Sequence, residues 1–387
     1  MIIGIIAEYN PFHMGHLYQI NFIKNKYPDS LVIVAMAGSF VQRAEPAIFD
    51  KWTRTRASLL SGADLVLEIP SIFSTQNAEI FSKYGVKILG NFIDMLVFGA
   101  EDDIKKLELI NKKVDENLDL TILKNYLRKG NSYIKSREKA MSFLTDEEKE
   151  ILRRPNNILA MSYMKAKKDL NFDFSFEAIR RHMVGHKEDF NDSFASASYI
   201  RSLIKSSDTY ESFVPKACFD LYKHKNINTL ENYFDIFKFI LLKNFDKLQN
   251  LIDYEIGIEN LFLKNIEAAT FDEFIKRCSS KRYSKTRIRR LCLGLLLGLY
   301  KNLVFDSLDY KKPYLRLLGA RKSAFDFIKS VKKNFILIEK FSKIQSLNDP
   351  IIKNIALKEA HMTDLYNLFT TKKLGEDFTT SPLIISN

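Results

Sequence analysis

Two histidines three residues apart, His13 and His16, with Gly15 between them, are the densest piece of potential chemistry in this chain. They follow the apolar run Ile2-Ile3-Gly4-Ile5-Ile6-Ala7 and the segment Glu8-Tyr9-Asn10-Pro11-Phe12. The run reads as a buried strand, Asn-Pro turns the chain, and an amphipathic helix follows near Leu17–Lys26. A helix starting there offers unpaired N–H groups and the positive end of its dipole to an anion. Gly15 lets a phosphate approach the backbone, and imidazoles at this spacing share one helix face. The competing reading is half of a metal site. Zinc needs a third and fourth ligand, and His182 and His186 come with no Cys pair or acidic partner. No metal ligands are therefore assigned; Mg2+ is compatible with phosphate chemistry, but no carboxylate pair marks a site for it.

Four further constellations carry chemically useful groups. The loop Gly38-Ser39-Phe40-Val41-Gln42-Arg43-Ala44-Glu45-Pro46 offers a hydroxyl, an amide and a guanidinium to a small polar substrate. Ser196-Ala197-Ser198-Tyr199-Ile200-Arg201 reads as a Ser-capped helix start whose N–H groups receive a phosphate, with Arg201 as a bidentate clamp. Pro155-Asn156-Asn157 opens a helix, where each asparagine is either a cap or an amide presented to a base or ribose. Lys51 and Arg54, one turn apart, read as a solvated face or an anion contact.

A fifth is a block of charge. Lys276, Arg277, Lys281, Arg282, Lys285, Arg287, Arg289 and Arg290 place eight bases in fifteen positions with Tyr283 among them and no acid between. Basic side chains pair with phosphates and a ring stacks on a splayed base, which suits RNA better than a solvated helix face. The net charge of +12 (59 basic, 47 acidic residues) agrees with a polyanionic partner.

The elements that position these groups differ between the two halves. Ile2–Ala7, Leu31–Met36, Ala63–Leu67 and Met95–Phe98 read as strands, with helices at Lys51–Ser61 and Gln76–Leu89; a fifth strand spans Phe172–Ile179 and ends at Arg180-Arg181. Continuous apolar strands between helices imply a parallel sheet covered on both faces, whose ligands bind beyond the strands' carboxyl ends. His13, His16, Gly38 and Gly99 then share one rim. After Arg201 the chain reads as almost wholly helical. The expected class is α/β: a Rossmann-like parallel-sheet domain over 1–205 and an all-α, basic domain over 206–387. The apolar run Leu291–Tyr300 is half a membrane span in length and reads as a core helix, so no membrane association is expected. Three separated cysteines (Cys218, Cys278, Cys292) and no signal-like leader suit a reducing cytoplasm.

His-x-Gly-His after a strand is the signature of nucleotidyltransferases, whose chemistry takes place at the α-phosphate of ATP. The fuller pattern resembles the bacterial tRNA(Met) cytidine acetate ligase family. It is carried by Glu8-Tyr9-Asn10-Pro11-Phe12-His13, Gly15-His16-Leu17-Tyr18, the Gly38–Pro46 loop, Gly62-Ala63-Asp64-Leu65-Val66, Glu68, Pro70, Pro155–Leu159, Ala195–Arg201 and Lys281–Ile288. The resemblance implies activation of acetate with ATP to acetyl-adenylate, then transfer to N4 of the wobble cytidine of elongator tRNA(Met). It implies ATP contacts from Ile6 to Gln19 (Ile6, Ala7, Glu8, Tyr9, Asn10, Pro11, Phe12, His13, Gly15, His16, Leu17, Gln19) and from Gly99, Asn156 or Asn157, and Arg181. Arg180, Ser196 and Arg201 join them from the residue reading, with His13 and His16, as imidazoliums, the catalytic pair. Gly38, Ser39, Gln42 and Arg43 form the substrate loop. Ala44 stands where the family's loop has glycine. The rival readings are an adenylyltransferase, which leaves AMP on a small acceptor, and an RNA-binding protein with a regulatory nucleotide site.

Overall fold

The computed structural model describes residues 1–119, 121–122, 125–126, 136, 139–180 and 194–386. Ten strands are described: β1 (Ile2–Ala7), β2 (Leu31–Ala37), the short hairpin β3 (Phe40–Val41) and β4 (Glu45–Pro46), β5 (Leu65–Ile69), β6 (Met95–Ala100), β7 (Ser175–Arg180), β8 (Leu315–Arg321), β9 (Leu337–Ile338) and β10 (Leu383–Ile385).

β1 and β2 are built almost wholly from Ile, Val, Leu, Ala and Met because helices cover both faces of the sheet. Five strands run parallel in the order β5-β2-β1-β6-β7. The chain moves outward from β1 through β2 to β5, then returns to β1's other side at β6. The strand order therefore reverses between β1 and β6, which opens a crevice at their carboxyl ends.

The parallel sheet expected for the first half is present, and the apolar run after Lys285 is a core helix, Lys285–Leu297, with Leu291 to Leu296 all buried. The all-α expectation for the second half needs correction. β8 joins β5 antiparallel, and β10 and β9 pair parallel with β8. Leu315-Arg316-Leu317-Leu318-Gly319-Ala320 is buried on both faces, so it shows none of the alternation that marks a strand in a sequence. One hydrophobic cluster runs from Ile6 and Ile33 through Phe237 and Leu293 to Tyr366, joining residues from both halves. Among the described residues no helix is long and apolar enough to cross a membrane.

Candidate active site

The helix Met14–Lys26 begins beyond β1 and is capped by its own histidines. His13 is the N-cap: its Nδ1 accepts from the Gly15 backbone N–H at 3.0 Å. His16 returns the bond, its Nδ1 accepting from the His13 N–H at 3.2 Å. This is a capping box built of imidazoles rather than of Ser and Glu. The rings stack with centroids 3.7 Å apart, and Tyr9 and Phe12 pack against His16 at 4.7 and 5.4 Å. A Cβ on Gly15 would lie 2.9 Å from His13 Cε1, so glycine is required beside the ring.

With each Nδ1 accepting a backbone N–H, Nε2 is the ring nitrogen that can present a hydrogen to a ligand.

Arg54 holds the strand ends that carry this site. It is fully buried. Its guanidinium donates to the carbonyls of Phe49 (3.0 Å), Glu8 (2.7 Å), Ala37 (2.9 Å) and Gly38. Glu8 lies just past β1, and Ala37 and Gly38 end β2. Lys51 is buried too, so neither member of this pair is a solvated face or an anion contact.

Lys51 belongs to an ionic cluster under the rim. Its Nζ lies 2.7 Å from Glu68 and 2.9 Å from Asp377; Arg316 lies 3.3 Å from Glu68 and 2.9 Å from Asp377. A third carboxylate, Glu359, accepts from the Ser71 backbone N–H (2.5 Å) and hydroxyl (2.9 Å). Burial and the Glu68 charge push Glu359 up to about 7. Burial also opposes ionisation of Asp377, but Lys51 and Arg316 outweigh it and hold that carboxyl down to about 2. Two cations thus face three acids, and Glu359 is the one that retains a proton most readily. The sequence reading missed this cluster; its signal was Glu68, a carboxylate inside the apolar strand Leu65–Ile69.

The segment Gly38–Pro46 divides in two. Gly38 and Ser39 are buried beneath the rim, Ser39 Oγ lying 3.3 Å from Thr363 Oγ1. Gln42 and Arg43 reach outward, and Arg43 is exposed. Ala44, at the turn, has φ 56°. That left-handed conformation gives the physical reason for glycine in the resembling family.

Arg201 is buried and joins this loop to the turn before the helix Met14–Lys26. It donates to the Asn10 carbonyl (2.8 Å) and pairs with Glu45 (3.1 Å). Burial and the like charges of Arg43 and Arg289 lower its pKa, against the pull of Glu45 and Glu8. Arg289 belongs to the basic helix Lys285–Leu297. The Glu8 carboxyl lies among the same groups: burial raises its pKa, Arg43 and Arg201 pull it down, and the Gln42 backbone N–H reaches it.

The remaining candidates are placed as follows. Ser196 caps the helix Ala197–Ser206 by accepting from the Tyr199 N–H at 3.1 Å. Gln19 donates to the Val97 carbonyl at 2.9 Å, tying its helix to β6. Gly99 lies in β6 and is half-buried, as are Ile179 beside it, Leu17 and Ala7. Ile6 is packed in the core. Asn157 is buried, its amide bonded to the 101–102 turn, while the Asn156 amide donates to Glu101 at 2.6 Å. Both asparagines therefore brace the turn after β6. Arg180 ends β7, exposed; Arg181, His182 and His186 lie outside the described residues.

The basic block meets acids from elsewhere in the chain. Arg277 pairs with Glu273, Arg282 and Arg287 with Glu255, Arg289 with Asp272 and Arg290 with Asp253. Lys276, Lys281 and Lys285 are exposed, and Arg282 and Arg287 lie over the Tyr283 ring at 5.6 and 5.2 Å. The outward charge is thus a lysine face beside an arginine-stacked tyrosine.

Comparison with known proteins gives consistent matches. The family model described as HIGH Nucleotidyl Transferase matches residues 1–380. A tRNA(Met) cytidine acetate ligase of Clostridium perfringens is 35% identical over 409 aligned positions, covering 99% of each chain. One of Ligilactobacillus salivarius is 36% identical, covering 86% of this chain and 88% of its own. A crystal structure of Thermotoga maritima TmcAL bound with alpha-thio ATP superposes with a TM-score of 0.90 at 27% identity, covering 100% of both chains. The chain belongs to the HIGH nucleotidyl transferase family and, within it, to the tRNA(Met) cytidine acetate ligases.

Proposed function

We propose that this member of the family is an ATP-dependent ligase. It activates acetate as acetyl-adenylate and transfers the acetyl group to N4 of the wobble cytidine of elongator tRNA(Met). The observation that carries this reading is the imidazole-capped helix at the β1/β6 crevice.

In the first step an acetate oxygen attacks the α-phosphorus in line and pyrophosphate leaves. The protein's work is positioning and neutralising charge. The Nε2–H groups of His13 and His16 and the first N–H groups of their helix bond the α-phosphate and the departing pyrophosphate. Gly99 lets the nucleotide lie close over β6, and the segment from Ile6 to Gln19 cradles it. Arg201 and Arg181 contribute positive charge at the outer phosphates, with Ser196 and Arg180 beside them. Gln42 and Arg43 hold the acetate. In the second step the lysine face of Lys276, Lys281 and Lys285, with Arg277, Arg282, Tyr283, Arg287, Arg289 and Arg290, takes the tRNA and brings its anticodon to the rim. The basic half from about residue 206 is the RNA-binding unit.

The test is incorporation of labelled acetate into unmodified elongator tRNA(Met) with ATP. Label on the wobble cytidine, with AMP and pyrophosphate released, is expected. AMP retained on a small acceptor, with no labelled tRNA, would replace the reading with an adenylyltransferase.

A further inference from the structure

Acylating an exocyclic cytosine amine needs a group to take its proton, and the Nδ1 of each imidazole is already occupied in the cap. We propose that the Glu8 carboxylate is that base, binding the cytidine N4 amine and accepting one of its protons during transfer. The proposal rests on the ligase reading above and adds a residue role to it.

Glu8 follows β1 directly, and its carbonyl is fixed by Arg54 at 2.7 Å. The backbone therefore cannot drift, while the side chain turns into the loop that carries Gln42 and Arg43. Its Oε1 is shielded from solvent and has no hydrogen-bond partner among the described residues. A shielded carboxylate oxygen calls for a donor. Acetate and the ATP phosphates present only acceptors to it, whereas cytosine N4 presents N–H, the group that glutamate accepts from in base recognition.

The charged surroundings suit a base. Arg43 and Glu45 face Glu8 from the loop, Arg201 from the helix Ala197–Ser206, Arg54 from the helix Lys51–Leu60 and the Tyr163 hydroxyl from the helix Pro155–Asp169. Burial raises the Glu8 pKa toward working pH, where a general base is most effective, while Arg43 and Arg201 keep the anion accessible. In the step itself the N4 lone pair forms the C–N bond to the acetyl carbon. Glu8 Oε1 takes the N4 proton, the acyl C–O bond to AMP breaks with its electrons, and AMP leaves. Glu8 then returns the proton to water.

The experiment compares full-length wild type, Glu8→Gln and Glu8→Asp in three assays. Acetate-dependent ATP–pyrophosphate exchange reads adenylate formation. Acetohydroxamate formation reads transfer to hydroxylamine, a nucleophile that needs no base. Labelled acetate on tRNA(Met) reads the full reaction. Measured against the same variant's exchange rate, tRNA transfer by Glu8→Gln is expected to fall about 10²–10⁴-fold further than its hydroxamate formation. Glu8→Asp should recover part of the loss. The wild-type single-turnover transfer rate should rise with pH to a plateau, and that rise should vanish in Glu8→Gln. Undiminished tRNA transfer by Glu8→Gln overturns the proposal. So does parallel loss of exchange, which would place Glu8 in adenylate formation. A wild type that exchanges pyrophosphate but labels no tRNA would instead remove the ligase reading itself.

Discussion

Replacing Arg54 with methionine tests the physical core of the site. The guanidinium donates to four backbone carbonyls rather than to a carboxylate, and methionine fills similar volume without donating. Four charge-assisted bonds at about 1.5 kcal/mol each give ~6 kcal/mol of gross loss. Removing a buried cation returns part of that, because its desolvation cost disappears, a matter of a few kcal/mol. What remains is a set of buried carbonyls without their donor, so the expected net loss is about 3 kcal/mol. Arg54→Lys should be no better, since the ammonium keeps the buried charge but cannot reach all four acceptors. Urea denaturation with an unchanged slope measures the loss, and ATP affinity measured on the folded variant should fall as the Glu8 and Gly38 ends loosen. A loss below about 1 kcal/mol in Arg54→Met would refute the reasoning, because the carbonyls would then have found other partners.

Three further outcomes are expected. His13→Asn keeps a cap acceptor but removes Nε2–H. Its thermal stability should stay within about 0.5 kcal/mol of wild type while pyrophosphate exchange collapses, whereas His13→Ala should also lose about 1 kcal/mol as the cap goes. Glu359, with its folded pKa raised to about 7, adds stability below the ordinary carboxylate pKa that is lost as pH rises through 7. Wild type should therefore lose up to about 3 kcal/mol relative to Glu359→Gln between pH ~4.5 and ~7, and parallel stability curves would refute the assignment. The triple change Lys276→Ala, Lys281→Ala, Lys285→Ala should weaken tRNA binding and reduce the salt slope by about 2 while leaving exchange intact; an unaltered slope would remove these lysines from the interface.

The catalytic end of the fold was legible because β1, the Asn-Pro turn and the helix start lie within sixteen consecutive residues, where local rules act. Four of the five parallel strands announced themselves as apolar runs. The buried ions did not: Lys51, Arg54 and Glu68 look like ordinary surface charges until partners more than 300 residues away, Thr363 and Asp377, close over Lys51. The imidazole cap was equally hidden. It depends on which nitrogen accepts from the backbone, and spacing alone does not encode that. In the basic block density was legible and orientation was not, since the acids that pair with its arginines come from residues 253–273.

The placement of β8 has a consequence for how the molecule is made. During synthesis β5 emerges early, and its outer edge, with unpaired N–H and C=O groups, has no neighbour until residues 315–321 leave the ribosome. An open apolar edge invites pairing with another nascent chain. Lys51 and Glu68 wait through the same interval for Arg316 and Asp377. A chain stopped near residue 310 would hold β1, β6 and the helix Met14–Lys26 and still present a bare strand beside a Lys51–Glu68 pair that lacks its other partners. Its expected fate is aggregation, so completion of the last seventy residues acts as a checkpoint on a site encoded by the first two hundred.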